Sequence, residues 1–119
     1  ATGYLLAPLL LSLQSAGILK NVEADIKETA AVLHSLRDLL QPASRERNIA
    51  QSIAGLIKDA VPVVWGSANC TEPAALRWKA QINENAKCPA YYNVFPELNH
   101  NEIVGFEAPA ELLAKIAVI

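Results

Sequence analysis

Two side chains in this sequence are of the right types for proton chemistry: Glu84, in Asn83-Glu84-Asn85-Ala86-Lys87, and His100, in Asn99-His100-Asn101-Glu102. A positioned carboxylate can carry a proton between adjacent carbons, and an imidazole can give one to, or take one from, a substrate oxygen. Each residue alone has a plainer reading. Glu84 reads as a solvated last helical turn, where its charge opposes the helix dipole. His100, flanked by two asparagines, reads as a loop residue satisfied by its neighbours. Taken together they are a usable pair, one on each side of an apolar run that must be buried.

A second candidate lies at Gly66 and Ser67, which end a β-branched run just before a helix. Backbone N–H groups and hydroxyls at such a turn bind anions well. The spacing is not that of a P-loop, and an ordinary strand-to-helix turn explains it equally. Arg77, Gln81 and Glu84 recur at spacings of four and three, making a polar helix face distinct from the apolar one. Gly66, Ser67, Arg77 and Gln81 are therefore the candidate substrate-binding residues.

These residues need rigid elements to hold them. Residues 61–65 are β-branched and aromatic without polar alternation, which suits a buried parallel strand. A loop over residues 67–71 leads to a helix with Thr71 or Glu72 as cap, Pro73 in its first turn and Ala75, Trp78, Ile82 and Ala86 as its core face. Residues 89–95 read as a second strand, so residues 61–95 form a β-α-β unit. Residues 96–105 read as a loop that opens a helix near His100; a short helix follows Pro109, and a third strand begins at Ile116. Helices alternating with short apolar strands predict an α/β class, with a parallel sheet covered on both faces. Ligands of such sheets bind beyond the carboxyl ends of the strands. The loops at Gly66 and at His100 lie there, but Glu84 lies at the opposite end.

The first 45 residues are helical in pattern. Residues 4–16 are Leu-rich, contain Pro8 and end at Gly17, a residue suited to a left-handed C-terminal cap. Val22, Ile26, Ala30, Leu33, Leu36 and Leu40 form an amphipathic stripe closed by Pro42. His34 stands four residues before Asp38, so the two can pair on the solvent side. Ser44 is the expected cap of a third helix, with Ile49, Ile53, Leu56, Ile57 and Ala60 as its stripe.

Of 119 residues, 52% are hydrophobic and 18% charged, a globular composition. A net charge of −2 offers no basic footprint for nucleic acid or anionic membrane. Cys70 and Cys88 lack zinc or redox spacing and read as reduced structural thiols of a cytoplasmic protein. No metal or cofactor is expected. The apolar run near the start is too short to span a bilayer and lacks a basic leader. The chain begins inside a helical pattern and stops inside a strand-like run, so it is expected to be a piece of a longer protein.

"RWKAQINENAK" (77–87) followed by "FPELNHNEIVGF" (95–106) resembles the C-terminal half of the bifunctional phosphoglucose/phosphomannose isomerases, of the sugar-isomerase (SIS) superfamily. "TGYLLAPLL" (2–10) and "VPVVWGS" (61–67) are similar to preceding segments of that family in the same order. The resemblance implies a three-layer SIS-like fold, with residues 1–45 connecting from an absent first SIS domain and residues 46–119 forming a second, incomplete at its end. It implies metal-free aldose–ketose isomerisation of a hexose 6-phosphate through a cis-enediol. Glu84 matches the general base, and His100 matches the ring-opening residue that a homodimer supplies from the neighbouring subunit. The family's main phosphate loop, a catalytic arginine and further C-terminal groups fall outside these residues, so the 119 residues alone are expected to be inactive. Ala80 stands where the family often has Thr. Two other classes are compatible with the pattern: a non-catalytic SIS module that binds sugar phosphate for regulation, and a purely structural dimerisation domain. A sensor needs no base, so the joint presence of Glu84 and His100 favours the enzyme.

Overall fold

The computed structural model describes residues 2–43 and 48–119. They fall into two compact units, Ala1–Gln51 and Ser52–Ile119.

The first unit is built on α1 (Thr2–Ser15) and α2 (Val22–Leu40). Pro8 sits inside α1, and Ser12 Oγ donates to its carbonyl. Gly17, at φ +76°, ends the helix as the sequence predicts: its N–H donates to Gln14 O and that of Ile18 to Leu13 O. Gln14 Oε1 then accepts from the N–H of Val22 at 2.6 Å, so the end of α1 ties down the start of α2. The apolar stripe of α2 is buried only there. Val22 is 5% exposed, whereas Leu33 and Leu36 are largely open. Beyond the turn the helices are parted by a groove of about 570 Å³, lined by Leu6, Leu10, Ile26 and Leu33 among others, which is why the stripe is not buried along its length.

Asp38 does not pair with His34. Its Oδ1 takes Nε and Nη2 of Arg37, at 2.9 and 2.8 Å, because a planar guanidinium offers two donors where an imidazole offers one. His34 stays exposed. The expected cap Ser44 lies outside the described residues. The described start of α3 (Ile49–Ile57) is capped by Asn48, whose Oδ1 accepts from Gln51 N while Gln51 Oε1 accepts from Asn48 N. Along α3 the buried face is narrower than the sequence stripe: Ile53 and Ile57 are half-buried, but Ile49 and Leu56 at its margins are exposed.

The second unit is α/β. Strands β1 (Val61–Ser67), β2 (Tyr91–Phe95) and β3 (Ile116–Val118) form a parallel sheet in the order β2-β1-β3. Between β1 and β2 comes α4 (Glu72–Gln81), with Pro73 in its first turn. Alternation along β1 buries Pro62, Val64 and Gly66 and half-buries Val61, Val63 and Trp65. The first set faces α4, whose Ala75 meets Gly66. On the other face, Trp65 packs edge-on against Phe95 and Phe106, with ring centroids 5.8 and 5.6 Å away. Helices and their flanks thus lie against both faces, although Tyr91 and Val118 on the second face remain exposed.

Two expectations for α4 change. Ala75 and Ile82 are buried, but Trp78 is 39% exposed and Ala86 is exposed. The chain from Ile82 to Ala86 is a π-helical turn, whose wider i→i+5 step rotates Ala86 off the core face. Thr71 does occupy the cap position, yet its hydroxyl accepts from the N–H of Ser67 at 2.8 Å instead of capping the helix. The expected loop after β2 is more ordered than the sequence reading: a cis Phe95–Pro96 peptide, a 3₁₀ turn (Glu97–Asn99), then α5 (Glu102–Gly105). The short helix α6 (Ala110–Leu113) follows Pro109 as expected.

Gly66 is present for close approach. A Cβ there would stand 3.0 Å from Ala75 Cβ and 3.3 Å from Thr71 O. Gly66→Val must therefore push α4 off β1, and we expect it to lower unfolding stability by about 1–3 kcal/mol in urea titrations.

Candidate functional site

Glu84 stands at the middle of the π-helical turn. Such turns break the i→i+4 ladder and aim side chains where a regular helix would not; they recur at functional sites. Lys87, at φ +55°, closes the turn in the left-handed region, and its ammonium bonds Glu84 O at 2.5 Å. Asn83 Nδ2 donates to Cys88 O at 2.9 Å, and Asn85 Nδ2 to Gln81 Oε1 at 3.1 Å. The two asparagines are thus spent on the backbone and on the preceding turn. Glu84's own carboxylate is exposed and takes no hydrogen bond or ion pair among the described residues. A frayed helix end would not need three side chains to hold it. This end is fixed, and one carboxylate is left pointing to solvent.

His100 lies beyond the other end of β2. Its N–H donates to Glu97 O, and its side chain is exposed. β2 is five residues long, so at about 3.3 Å per step the strand that lies between the two residues runs about 13 Å from end to end. β2 does lie between Glu84 and His100, as the sequence predicts, but it is half-buried rather than buried, with Tyr91 exposed, and the two residues stand beyond its opposite ends.

At the carboxyl end of β1, Ser67 is exposed and its N–H is taken by Thr71 Oγ1, while Gly66 is buried against α4. Arg77 is exposed on α4, and Gln81 is half-buried with its Oε1 accepting from Asn85.

The sequence reading did not give a role to Trp65 or Asn93, and it left Glu102 as one member of a polar cluster. The structure joins them. Glu102 Oε1 accepts from Trp65 Nε1 and Oε2 from Asn93 Nδ2, both at 2.6 Å. Trp65 and Asn93 are register partners on neighbouring strands, so their side chains emerge on one face side by side. A signal was available: Asn93 is the one amide inside an apolar strand, and a polar group in such a place demands a partner.

Among the described residues, no group of three or more His, Cys, Asp or Glu could hold a metal ion. Cys70 and Cys88 are unpaired; Cys70 is exposed in the β1–α4 turn, which is not the place of a structural core thiol. Among the described residues no helix is long and apolar enough to cross a membrane. Removing the Asn83 amide should loosen the π-helical turn without touching the sheet. We expect Asn83→Ala to cost about 0.5–1.5 kcal/mol and to raise amide hydrogen exchange at residues 84–88 selectively.

Residues 46–119 match the model of the bacterial phospho-glucose isomerase C-terminal SIS domain. A bifunctional phosphoglucose/phosphomannose isomerase of Caldicellulosiruptor bescii is 42% identical over 120 residues, covering 100% of this chain and 35% of that protein. One of the same name from Aquifex aeolicus is 39% identical, covering 90% of this chain and 29% of that protein. A D-glucosamine-6-phosphate 4-epimerase of Sulfolobus acidocaldarius is 44% identical over 55 residues, covering 46% of this chain and 17% of that protein. The chain thus spans about a third of the first two relatives' length. No solved structure matches it significantly.

Proposed function

This chain belongs to the family of bacterial phospho-glucose isomerase C-terminal SIS domains, and from that premise we propose that the whole protein interconverts glucose 6-phosphate, and also mannose 6-phosphate, with fructose 6-phosphate. It acts as a cytoplasmic homodimer, without a metal, through a cis-enediol. The observation that carries this reading is the pair of exposed, firmly held groups at opposite ends of β2.

Glu84 is the general base. It takes the proton from C2 of the open aldose, leaving an enediolate that becomes the cis-enediol as O1 gains a proton. It returns its proton to C1 as O2 gives up its hydroxyl proton to form the C2 carbonyl, so that one proton moves from C2 to C1 and one from O2 to O1. Such positioned transfer contributes about 10² to 10⁴ in rate. His100 opens the sugar ring: the imidazole delivers a proton to the ring oxygen as the bond from that oxygen to the anomeric carbon breaks, and the anomeric hydroxyl gives up its proton as the carbonyl forms. The strand-length separation of the two residues supports a division of labour across a dimer, each His100 serving the neighbour's Glu84. Arg77 and Gln81, on the helix that leads into the π-helical turn, contribute polar contacts to the sugar phosphate. Gly66 and Ser67 shape the turn at the end of β1. Groups outside this chain hold the phosphate away from Glu84, since a second anion beside the base would oppose its ionisation.

Glu84→Gln in the whole protein should abolish exchange of the substrate C2 proton with solvent in deuterated buffer, read by NMR; near-normal exchange would sink the assignment. Persistent sugar-phosphate binding with no exchange by the wild type would point to a regulatory module instead. Conversion of D-glucosamine 6-phosphate to its C4 epimer would point to the chemistry named for the Sulfolobus relative. The cross-subunit arrangement has its own check. Glu84→Gln and His100→Ala homodimers should each be inactive, whereas mixing and reassembly should restore up to about a quarter of wild-type activity, because half the dimers then carry one intact site. No recovery on mixing would place both residues in one subunit's site.

A further inference from the structure

We infer that Glu102 is a positioning residue for His100, acting through a clamp to Trp65 and Asn93; this rests on the ring-opening role proposed for His100. The argument begins with how His100 is held. Its own side chain has no partner among the described residues, so its direction is set by the backbone on either side. Two residues before it, Leu98 is fully buried, with no exposed surface. Two residues after it, the Glu102 carboxylate bonds Trp65 Nε1 on β1 and Asn93 Nδ2 on β2, both at 2.6 Å. Asn101 ties the intervening turn twice over. Its Oδ1 accepts from the Glu102 N–H, and its Nδ2 donates to Glu97 Oε1 at 3.4 Å. The segment is therefore pinned at both ends to the sheet and its core, with the imidazole at the crest.

The chemistry of the clamp is unusual for a structural contact. Glu102 spends both carboxylate oxygens on neutral donors, with no cation within ion-pair distance among the described residues. A carboxylate half-buried on a sheet face is costly unless it is fully hydrogen-bonded, and an apolar residue there would pack against Trp65, Phe95 and Phe106 without that demand. Two short charge-assisted bonds to different strands fix direction as well as distance, which packing alone does not. Displacing a catalytic group by about 1 Å can cost about 100-fold in rate. Both Glu102 oxygens are taken by Trp65 and Asn93, so the expected effect of Glu102 is confined to the step His100 performs.

The test separates ring opening from proton transfer. Fructose 6-phosphate must be opened from its furanose form; 5-deoxyfructose 6-phosphate lacks the hydroxyl that closes that ring and presents an open ketone. Exchange of the C1 proton with deuterated solvent is measured for both sugars with the whole protein. Glu102→Gln and, independently, Trp65→Phe should lower kcat/KM for exchange of fructose 6-phosphate by about 10- to 100-fold, while exchange of the 5-deoxy sugar changes by less than about threefold. Asn93→Ser provides a third variant, which keeps a donor but shortens its reach, should either of the others fail to fold. Equal losses on the two sugars, or no loss on either, would overturn the positioning role. A wild-type protein that exchanges neither sugar would instead overturn the isomerase reading on which the inference rests.

Discussion

The second half of this molecule depends on how one carboxylate is accommodated. Glu102 sits half-buried where strands β1 and β2 end, and its two oxygens meet one donor from each strand, the indole of Trp65 and the amide of Asn93. Those donors are adjacent because residues 65 and 93 are partners in the parallel register. A slip of β2 by one residue would turn Asn93 to the opposite face and leave the carboxylate only the indole of Trp65. The clamp thus couples sheet register to the turn carrying His100, and Phe95 and Phe106 complete an aromatic wall around the indole.

The opposite end of β2 is organised by a different device. There the backbone leaves regular helix for a π-helical turn, stopped by Lys87 in a left-handed conformation and held by Asn83 and Asn85. Each polar neighbour of Glu84 bonds backbone or the turn before it, so the carboxylate has no partner among the described residues and stays available to solvent or a ligand. The proposed base and the proposed ring-opening residue are therefore immobilised by unrelated means: a local helical distortion for one and a sheet-borne hydrogen-bond pair for the other. A rigid strand between them sets their separation, and a reaction needing both groups at one sugar is best served by two subunits.

Much of this was legible in the residues. Gly17 and Pro73 punctuate helices where their backbone preferences require, and the run at residues 61–65 reads as a buried parallel strand because it lacks polar alternation. The pairing of Asp38 was misread because spacing along a helix favours His34, whereas Arg37 offers two donors in a plane. Burial along α2 and α3 was overestimated because a sequence stripe marks a face able to be covered and says nothing of how much cover is present. Ala86 leaves the expected core face because the regular 3.6-residue step does not continue through a turn that widens, whereas Trp78, in the regular part of α4, stays 39% exposed for want of cover.

By itself the sequence determined the α/β class, the order of its strands along the chain and the two polar motifs at residues 83–87 and 99–102, since periodicity, turn residues and local composition are properties of adjacent positions. Only the tertiary structure decided that Glu84 is held by a π-helical turn rather than frayed, that Gly66 exists to admit Ala75, and that Trp65, Asn93 and Glu102 form one unit. Those three residues are far apart in the chain, and what joins them is the register of two parallel strands, which no local pattern encodes.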